Sequence, residues 1–250
     1  MLTQPTLDRL NAMKMFSMAE ALQRQTASSQ STALSFEERF GMLIDAEWSG
    51  REQRKLDQRL KSARLRPAAS LEDVDFKAHR GLNRELVLTL SRCDWIRERQ
   101  NLLITGPTGV GKSYLACAFA ERACRSGCSA LHVRAPRLYQ ELAVARGDGS
   151  YGRLLARLTR TQLLIIDDWG LAPLKDQERR DLLEVIEDRY ERASTLITSQ
   201  VPVKSWHEVI GDATLADAIC DRLVHCAHRI ELKGPSLREA KAKPAGKGSE

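Results

Sequence analysis

A glycine-rich stretch able to wrap around phosphate groups lies between an apolar run and a helical pattern. Residues 106–113, GPTGVGKS, have the spacing G-x-x-x-x-G-K-[ST]. In such a loop backbone N–H groups point at phosphate oxygens, Lys112 reaches the β- and γ-phosphates, and the Ser113 hydroxyl binds Mg²⁺. The stretch therefore predicts a nucleoside-triphosphate site. Its predicted contacts are Gly106, Pro107, Thr108, Gly109, Val110, Gly111, Lys112, Ser113 and Tyr114.

Two adjacent acids end a second apolar run, LLIIDDWG. Phosphoryl transfer needs carboxylates beside the phosphates, so we expect Asp167 to hold Mg²⁺ together with Ser113 and Asp168 to orient or deprotonate the attacking water. Acids at the end of a strand can also cap the following turn. Asp168 is one methylene shorter than a glutamate, which favours slow turnover unless a partner tightens the site.

Two more polar side chains are candidates for the same reaction. Ser199, in TLITSQ, ends another apolar run, where a hydroxyl can touch the γ-phosphate or the water, although it can equally form a turn. Arg222, in ADAICDRLVH, lies on a predicted helix. From the residues alone, Arg222 fits a surface salt bridge just as well.

The composition indicates a globular protein. The chain has 250 residues, of which 42% are hydrophobic, enough to bury a core. No apolar run approaches the roughly 20 residues that span a bilayer, and the N-terminus has no secretory pattern, so we expect a cytoplasmic protein. The six cysteines include no C-x-x-C pair, and the spacing in CDRLVHCAH matches no common zinc pattern, so we expect reduced thiols.

The net charge of +6 favours a polyanionic partner. Residues 51–66, REQRKLDQRLKSARLR, concentrate much of the positive charge. Such a run is often only a solvated helix face, but lysine and arginine also bind DNA phosphates without reading bases. The predicted DNA contacts are Arg51, Arg54, Lys55, Arg59, Lys61 and Arg64, followed by Arg134, Arg137 and Arg146 around the second strand.

The order of patterns predicts three regions. Residues 1–66 form a helical domain, with a capping box from Ser35 to Glu38 and a second helix after Gly50. In residues 67–240 strands alternate with helices, which favours a parallel sheet covered on both faces, that is, an α/β fold. Residues 241–250 form a basic flexible tail.

Several pieces taken in order resemble one family. They are LEDVDF, NLLITGPTGVGKSYLACAFA, LLIIDDWGLAPL, TLITSQVPVKSWHEVIGD, ADAICDRLVH and GPSLR. Together they resemble AAA+ ATPases of the initiator and helicase-loader branch, most closely the IstB-type transposition helpers of insertion sequences. The resemblance covers most of residues 71–238 and extends to MAEALQRQ near the N-terminus. It implies a P-loop AAA+ core with a five-stranded parallel sheet and, because few residues follow Arg222, no full C-terminal lid.

The resemblance also implies roles and partners. Arg222 matches an arginine finger that reaches the nucleotide of a neighbouring subunit, Ser199 matches a sensor, and Arg238 resembles a second sensor that contacts ATP. ATP and Mg²⁺ are the implied cofactors. IstB-like ATPases assemble as oligomers on duplex DNA with little sequence preference and deliver it to the cognate transposase.

Three other interpretations stay open. A replicative helicase loader of the DnaC or DnaI kind shares the core and differs mainly in its N-terminal module. A small-molecule kinase would use the same phosphate loop, but nothing in the chain identifies an acceptor pocket or an arginine-bearing lid. In a third interpretation ATP serves only as an assembly switch and its hydrolysis is incidental.

Overall fold

The computed structural model describes residues 3–28, 33–78 and 80–237. The chain divides into two compact units, Met1–Gln58 and Arg59–Glu250. Among the described residues no helix is both long and apolar enough to cross a membrane. The predicted basic tail, residues 241–250, and Arg238 lie outside the described part of the chain.

The first unit is helical. It contains α1 (Thr3–Ala12), α2 (Phe16–Ala27) and most of α3 (Phe36–Ala63). The small core consists of Leu7, Leu10, Met18 and Ala19. The capping box at the start of α3 is confirmed, because the Ser35 N–H donates to Glu38 at 2.8 Å and the Glu38 N–H donates to Ser35 Oγ at 3.2 Å.

The predicted break at Gly50 is wrong, since α3 runs through this residue as one helix. A Cβ atom at Gly50 would lie 2.7 Å from Cβ of Ser17 on α2. The glycine therefore lets α2 approach α3 closely, and this packing outweighs the low helix propensity of glycine.

The second unit alternates strands with helices. In chain order its elements are α4 (Arg84–Leu90), α5 (Asp94–Arg97), β1 (Asn101–Thr105), α6 (Lys112–Arg125), β2 (Ala130–Arg134), α7 (Ala135–Gly147), α8 (Tyr151–Arg160), β3 (Leu163–Trp169), α9 (Asp176–Arg189), β4 (Ser194–Ser199), a 3-10 turn (Val203–Ser205), α10 (Trp206–Ile210), α11 (Ala213–Val224) and β5 (Ala227–Glu231). Between β2 and β3 the sequence pattern predicted a single helix, beginning at Pro136. The structure has two, α7 and α8, separated at Gly149, whose φ is +75°.

The five strands form one parallel sheet in the order β2-β3-β4-β1-β5, which confirms the predicted fold class. Residues of β1, β3 and β4 are almost all buried, as expected for the middle of a parallel sheet covered by helices. Because parallel strands end at the same edge, the loop after β1 and the polar ends of β3 and β4 come together there. This edge carries the candidate site.

The main core lies between the sheet and helices α7 to α11. Trp169 from β3 and Trp206 from α10 meet there with ring centroids 4.3 Å apart, next to Leu142 and Ile219. Helix α6 packs against four of the strands, β1 to β4. A rigid sheet flanked by helices thus fixes the ends of β1, β3 and β4.

The cysteines behave as the sequence predicted, with free thiols at all six positions. Burial raises the pKa of Cys117 to about 12 and that of Cys124 to about 11. Both thiols on α6 are therefore protonated and unreactive near neutral pH.

Candidate nucleotide-binding site

The phosphate loop joins β1 to the start of α6, and its glycines are needed for its shape. Gly106 and Gly109 have φ values of +147° and +85°, which favour glycine. A Cβ at Gly109 would lie 2.7 Å from Cβ of Ser236, and Leu237 N–H donates to Gly109 O at 3.0 Å. The chain after β5 therefore packs directly on the loop and leaves no room for a side chain at this position.

Lys112, the first residue of α6, closes the loop from inside. Its side chain is buried, and Nζ donates to the carbonyl oxygens of Gly106 and Pro107, each at 2.8 Å. The ammonium group and the amino end of the 14-residue helix α6 both place positive charge at the loop. This is the electrostatic arrangement that binds anionic phosphate groups.

Asp167, at the end of β3, is the most tightly held acid of the site. It is 4% exposed, and its Oδ1 accepts hydrogen bonds from Ser113 Oγ at 2.9 Å and from Thr198 Oγ1. Its Oδ2 lies 3.3 Å from Nε2 of His132 on β2. Burial alone would raise the pKa of Asp167, but the hydrogen bonds from His132, Thr198 and Ser113 outweigh it and lower the pKa. The carboxylate is therefore ionised near neutral pH.

The site fits Mg²⁺. The predicted ligands Ser113 and Asp167 come from different elements, yet their oxygens meet at 2.9 Å. Mg²⁺ prefers hard oxygen ligands, is commonly held through one or two carboxylates and substrate phosphates, and retains several waters. The loop beside the pair would supply the phosphates.

Asp168 has an unusual backbone and a cationic partner. Its φ is +58°, a value uncommon for residues other than glycine, at an irregularity in the pairing of β3 with β4. Its N–H donates to Thr198 Oγ1 at 3.0 Å, and its Oδ2 accepts from Arg134 Nε at 2.9 Å. Arg134, predicted as a DNA contact, thus lies beside the second acid.

The two hydroxyl groups at the end of β4 have different partners. Thr198 Oγ1 contacts Asp167 and Asp168. Ser199 Oγ donates to the Trp169 carbonyl at 2.8 Å and accepts from the Val201 N–H at 3.0 Å. Of the polar residues in TLITSQ the prediction selected Ser199, but Thr198 is the one that touches both acids.

A cleft of about 1040 Å³ lies over the loop. Its walls include the loop, both acids and Gln200, and also residues from the connector before α4, namely Arg66, Asp73, Asp75 and Arg80. The volume is at the upper end of the range for small-molecule and cofactor sites. The connector therefore contributes to the site, although its segment LEDVDF had entered the sequence analysis only as part of the family resemblance.

Arg80 is the main connector residue that sequence analysis missed. It is 4% exposed, and its guanidinium donates to the carbonyl oxygens of Val110 and Asp75, both at 3.1 Å. Burial lowers the pKa of Arg80. The arginine ties the connector to the phosphate loop, a contact between distant segments that only the folded chain reveals.

Arg222 does not line the cleft of its own chain. It lies on α11, where it donates to Glu187 Oε1 and to the Ala218 carbonyl, both at 2.9 Å. The side chain is 25% exposed. The ATP contact predicted for Arg238 concerns a residue outside the described part of the chain.

Several predicted DNA contacts have acidic partners. Arg51 and Arg54 bind the buried Glu47 at 2.7 and 3.1 Å, and Lys55 binds Glu52 at 2.8 Å. In the second unit, Arg137 pairs with Glu141, and Arg146 pairs with Asp181 and Glu184. Arg59 donates to the Cys124 carbonyl instead. Lys61 and Arg64 are exposed.

A second basic surface was missed. Arg153, Arg157 and Arg160 are exposed on α8 at positions i, i+4 and i+7, which places them on one helix face. Arg137 from α7 lines a groove together with Arg153 and Arg157. We call these four residues the α7–α8 arginine surface. The spacing RLLARLTR carried the signal, but a separate second helix had not been predicted there.

The phosphate loop after β1, together with the two acids Asp167 and Asp168 near the end of β3, defines a P-loop nucleotide-binding protein. Solved structures share its AAA+ fold. DnaI aligns with 67% of this chain and 92% of its own, at a TM-score of 0.56 and 24% identity. The DnaC helicase loader aligns with 70% and 99%, at a TM-score of 0.52 and 20% identity. DnaA of Aquifex aeolicus bound to AMPPCP aligns with 70% of this chain and 53% of its own, at a TM-score of 0.55 and 16% identity.

Sequence comparison gives the family. Residues 8–245 match the model of the IstB-like ATP binding proteins, and the chain belongs to that family. An insertion-sequence ATP-binding protein of Sinorhizobium fredii is 56% identical over 238 residues, covering 95% of this chain and 97% of the relative. The corresponding protein of insertion sequence IS21 from Pseudomonas aeruginosa is 34% identical over 240 residues, covering 96% and 89%. The resemblance seen in the motifs is confirmed.

Proposed function

We propose that the protein is a Mg²⁺-dependent ATPase that assembles on duplex DNA and delivers it to the transposase of its insertion sequence. The observation that carries the proposal is the meeting of Ser113 and Asp167 beside the phosphate loop, in a chain of the IstB-like ATP-binding family. The names of the relatives give ATP binding and the insertion-sequence context. Beyond these names, we propose the hydrolysis of ATP, the binding of duplex DNA and the delivery of that DNA to a transposase.

Each residue of the site has its own role in the proposed hydrolysis of ATP. Lys112 and the loop N–H groups bind the phosphates, while Ser113 and Asp167 hold Mg²⁺, which neutralises charge on the phosphate oxygens when bound. Asp168 orients the attacking water, and Ser199 and Thr198 orient the groups around it. Since Arg134 pairs with Asp168, we expect slow turnover until a partner rearranges this pair.

Arg222 acts on the nucleotide of a neighbouring subunit. Support comes from its position, because it does not line the cleft of its own chain. Its guanidinium contacts the Ala218 carbonyl, the half-exposed Glu187 and the ring of Tyr190. An arginine supplied from outside stabilises charge in the transition state of phosphoryl transfer. ATP would then join subunits, and the protein would be a homo-oligomer.

DNA contacts come from two basic surfaces. One is the predicted set in residues 51–64. The other is the α7–α8 arginine surface, where Glu141 pairs with Arg137 and Arg157 and Asp148 also lines the groove. A DnaA structure contains single-stranded DNA together with AMPPCP. Phosphate contacts need no base readout, and many subunits multiply weak contacts.

The regions keep their predicted roles in this proposal. Residues 1–66 bind DNA or the partner, residues 67–240 form the ATPase, and residues 241–250 add basic charge, in a cytoplasmic protein. The second candidate function is helicase loading, favoured by the structural likeness to DnaI and DnaC. Binding to a replicative helicase, rather than to duplex DNA and transposase, would favour it.

Phosphate release from ATP by the purified protein tests the proposal, measured with Mg²⁺ and with or without random-sequence duplex DNA and transposase. We expect slow release alone and faster release with both partners. Nucleotide binding with no hydrolysis under any of these conditions would reduce the protein to an ATP-dependent assembly switch.

A further inference from the structure

His132 is a part-buried histidine that the nucleotide-binding motifs do not account for. It lies on β2, one strand away from Asp167, and its side chain is 8% exposed. Its Nε2 lies 3.3 Å from Asp167 Oδ2. The other oxygen, Oδ1, accepts from Ser113 and Thr198. Three neighbouring segments therefore hold the two carboxylate oxygens of Asp167.

The chemistry of His132 and Asp167 determines which of the two donates the hydrogen bond between them. The carboxylate oxygens of Asp167 act as acceptors, since Oδ1 accepts from two hydroxyl groups, so Nε2 of His132 is the donor to Oδ2. Holding Oδ2 from β2 restricts rotation of the carboxylate. As a result Oδ1 stays directed at the Ser113 hydroxyl, the other predicted magnesium ligand.

We propose that His132 is a positioning residue, which fixes Asp167 so that Oδ1 and Ser113 present a preformed magnesium site. The inference rests on the proposed function, because it assigns a role toward Mg²⁺ bound with ATP. Outer residues that orient a metal ligand commonly change metal affinity by about 10- to 100-fold when they are removed. His132 acts on the metal site through Asp167 and does not touch the nucleotide.

The experiment separates Mg²⁺ affinity from nucleotide affinity. Binding of a fluorescent ATP analogue is measured first in EDTA and then during a Mg²⁺ titration. The variants are His132→Leu, His132→Gln and His132→Asn. The matched control is His207→Leu, since His207 Nε2 also lies 3.0 Å from an aspartate, Asp217, but on an exposed surface.

We expect His132→Leu to raise the half-saturating Mg²⁺ concentration about tenfold or more and to leave affinity in EDTA within about twofold of wild type. Glutamine has the reach to donate to Oδ2 and should restore most of the Mg²⁺ response, whereas the shorter asparagine should not. His207→Leu should match wild type. If the leucine variant fails to fold, the glutamine and asparagine variants, both polar, still carry the comparison.

Two results would overturn the inference. One is an unchanged Mg²⁺ requirement in the leucine and asparagine variants, and the other is an equal loss of affinity in EDTA and in Mg²⁺, which would indicate a packing role alone. If wild-type protein binds the analogue no better with Mg²⁺ than in EDTA, the magnesium part of the proposed function fails first. The assay needs neither DNA nor transposase, so it stays independent of the role in transposition.

Discussion

Arg134 Nε, at the end of β2, lies 2.9 Å from Oδ2 of Asp168, so the acid predicted to activate water is paired with a cation. The pairing follows from strand order, because β2 and β3 are neighbours and Arg134 is in register with Asp167. The positive φ of Asp168 accompanies this arrangement. To act on a water molecule, Asp168 must either break its hydrogen bond with Arg134 or accept from the water and from Arg134 at the same oxygen.

Removing Arg134 should therefore raise basal hydrolysis. The two side chains are 60% and 23% exposed, and such pairs contribute less than about 1 kcal/mol, so we expect Arg134→Ala to increase turnover without DNA by at most about fivefold. Steady-state phosphate release measures the effect, and Arg137→Ala serves as the control. A fall in turnover would instead mean that Arg134 assists the reaction.

Lys112→Ala and Asp168→Asn should separate binding from hydrolysis. Loss of the buried ammonium group should weaken ATP affinity about tenfold or more, since hydrogen bonds to charged groups contribute about 1.5–3 kcal/mol. Asp168→Asn keeps the loop intact, so it should bind ATP normally, hydrolyse it about 10²- to 10⁴-fold more slowly and accumulate in the assembled state. Nucleotide titration and single-turnover hydrolysis test this. Identical behaviour of the two variants would contradict it.

The α7–α8 arginine surface should contribute to the salt dependence of DNA binding. Reversing Arg153, Arg157 and Arg160 to glutamate should weaken duplex binding for all sequences alike. The slope of log K against log salt should become shallower by about 0.9 for each DNA phosphate that the variant no longer neutralises. Reversal of the exposed Arg180 and Arg192 is the control. An unchanged slope would exclude α8 as a DNA contact, and the basic residues of α3 would then be the next candidates for charge reversal.

Glu47 should stabilise the first unit in a pH-dependent way. Burial alone would raise its pKa, but hydrogen bonds from Arg51 and the Met18 N–H, with the charges of Arg51 and Arg54, outweigh it and lower the pKa below its ordinary value. A lowered pKa gives stability that is present above the unfolded value, about 4.3, and is lost as pH falls through the folded value.

We therefore expect Glu47→Gln to lower the free energy of unfolding by about 1–3 kcal/mol at pH 7 and by less as the pH approaches 3. Urea unfolding followed by circular dichroism measures the change. Asp45→Asn, at an exposed position of the same helix, is the control. Equal loss at both pH values would show that the charge of Glu47 is not responsible.

The sequence predicted those parts of the fold and site that depend on local patterns. The spacing of GPTGVGKS, the acids after LLII and the alternation of strands with helices are all read within short windows. The five parallel strands followed from them. Local pattern failed at Gly50, because the approach of Ser17 is a contact between helices. It also failed to separate α8 from the single helix predicted between β2 and β3.

The site residues that were not predicted were missed for a different reason, which is their distance along the sequence from the residues they contact. His132, Thr198 and Arg80 each act on a residue at least 30 positions away in the sequence. Their roles arise from strand neighbours and from the return of the connector onto the loop. No spacing rule within one segment carries that information.

The central claim, that ATP assembles this protein on DNA through Arg222, is tested most directly by light scattering on random-sequence duplex DNA. Wild-type protein, Lys112→Ala and Arg222→Ala would each be measured with ATP, with ADP and without nucleotide. We predict large complexes only for wild type with ATP, while Arg222→Ala still binds the nucleotide as a single subunit. Assembly of Arg222→Ala equal to wild type, or ATP binding with no DNA-dependent assembly in any sample, would contradict the account.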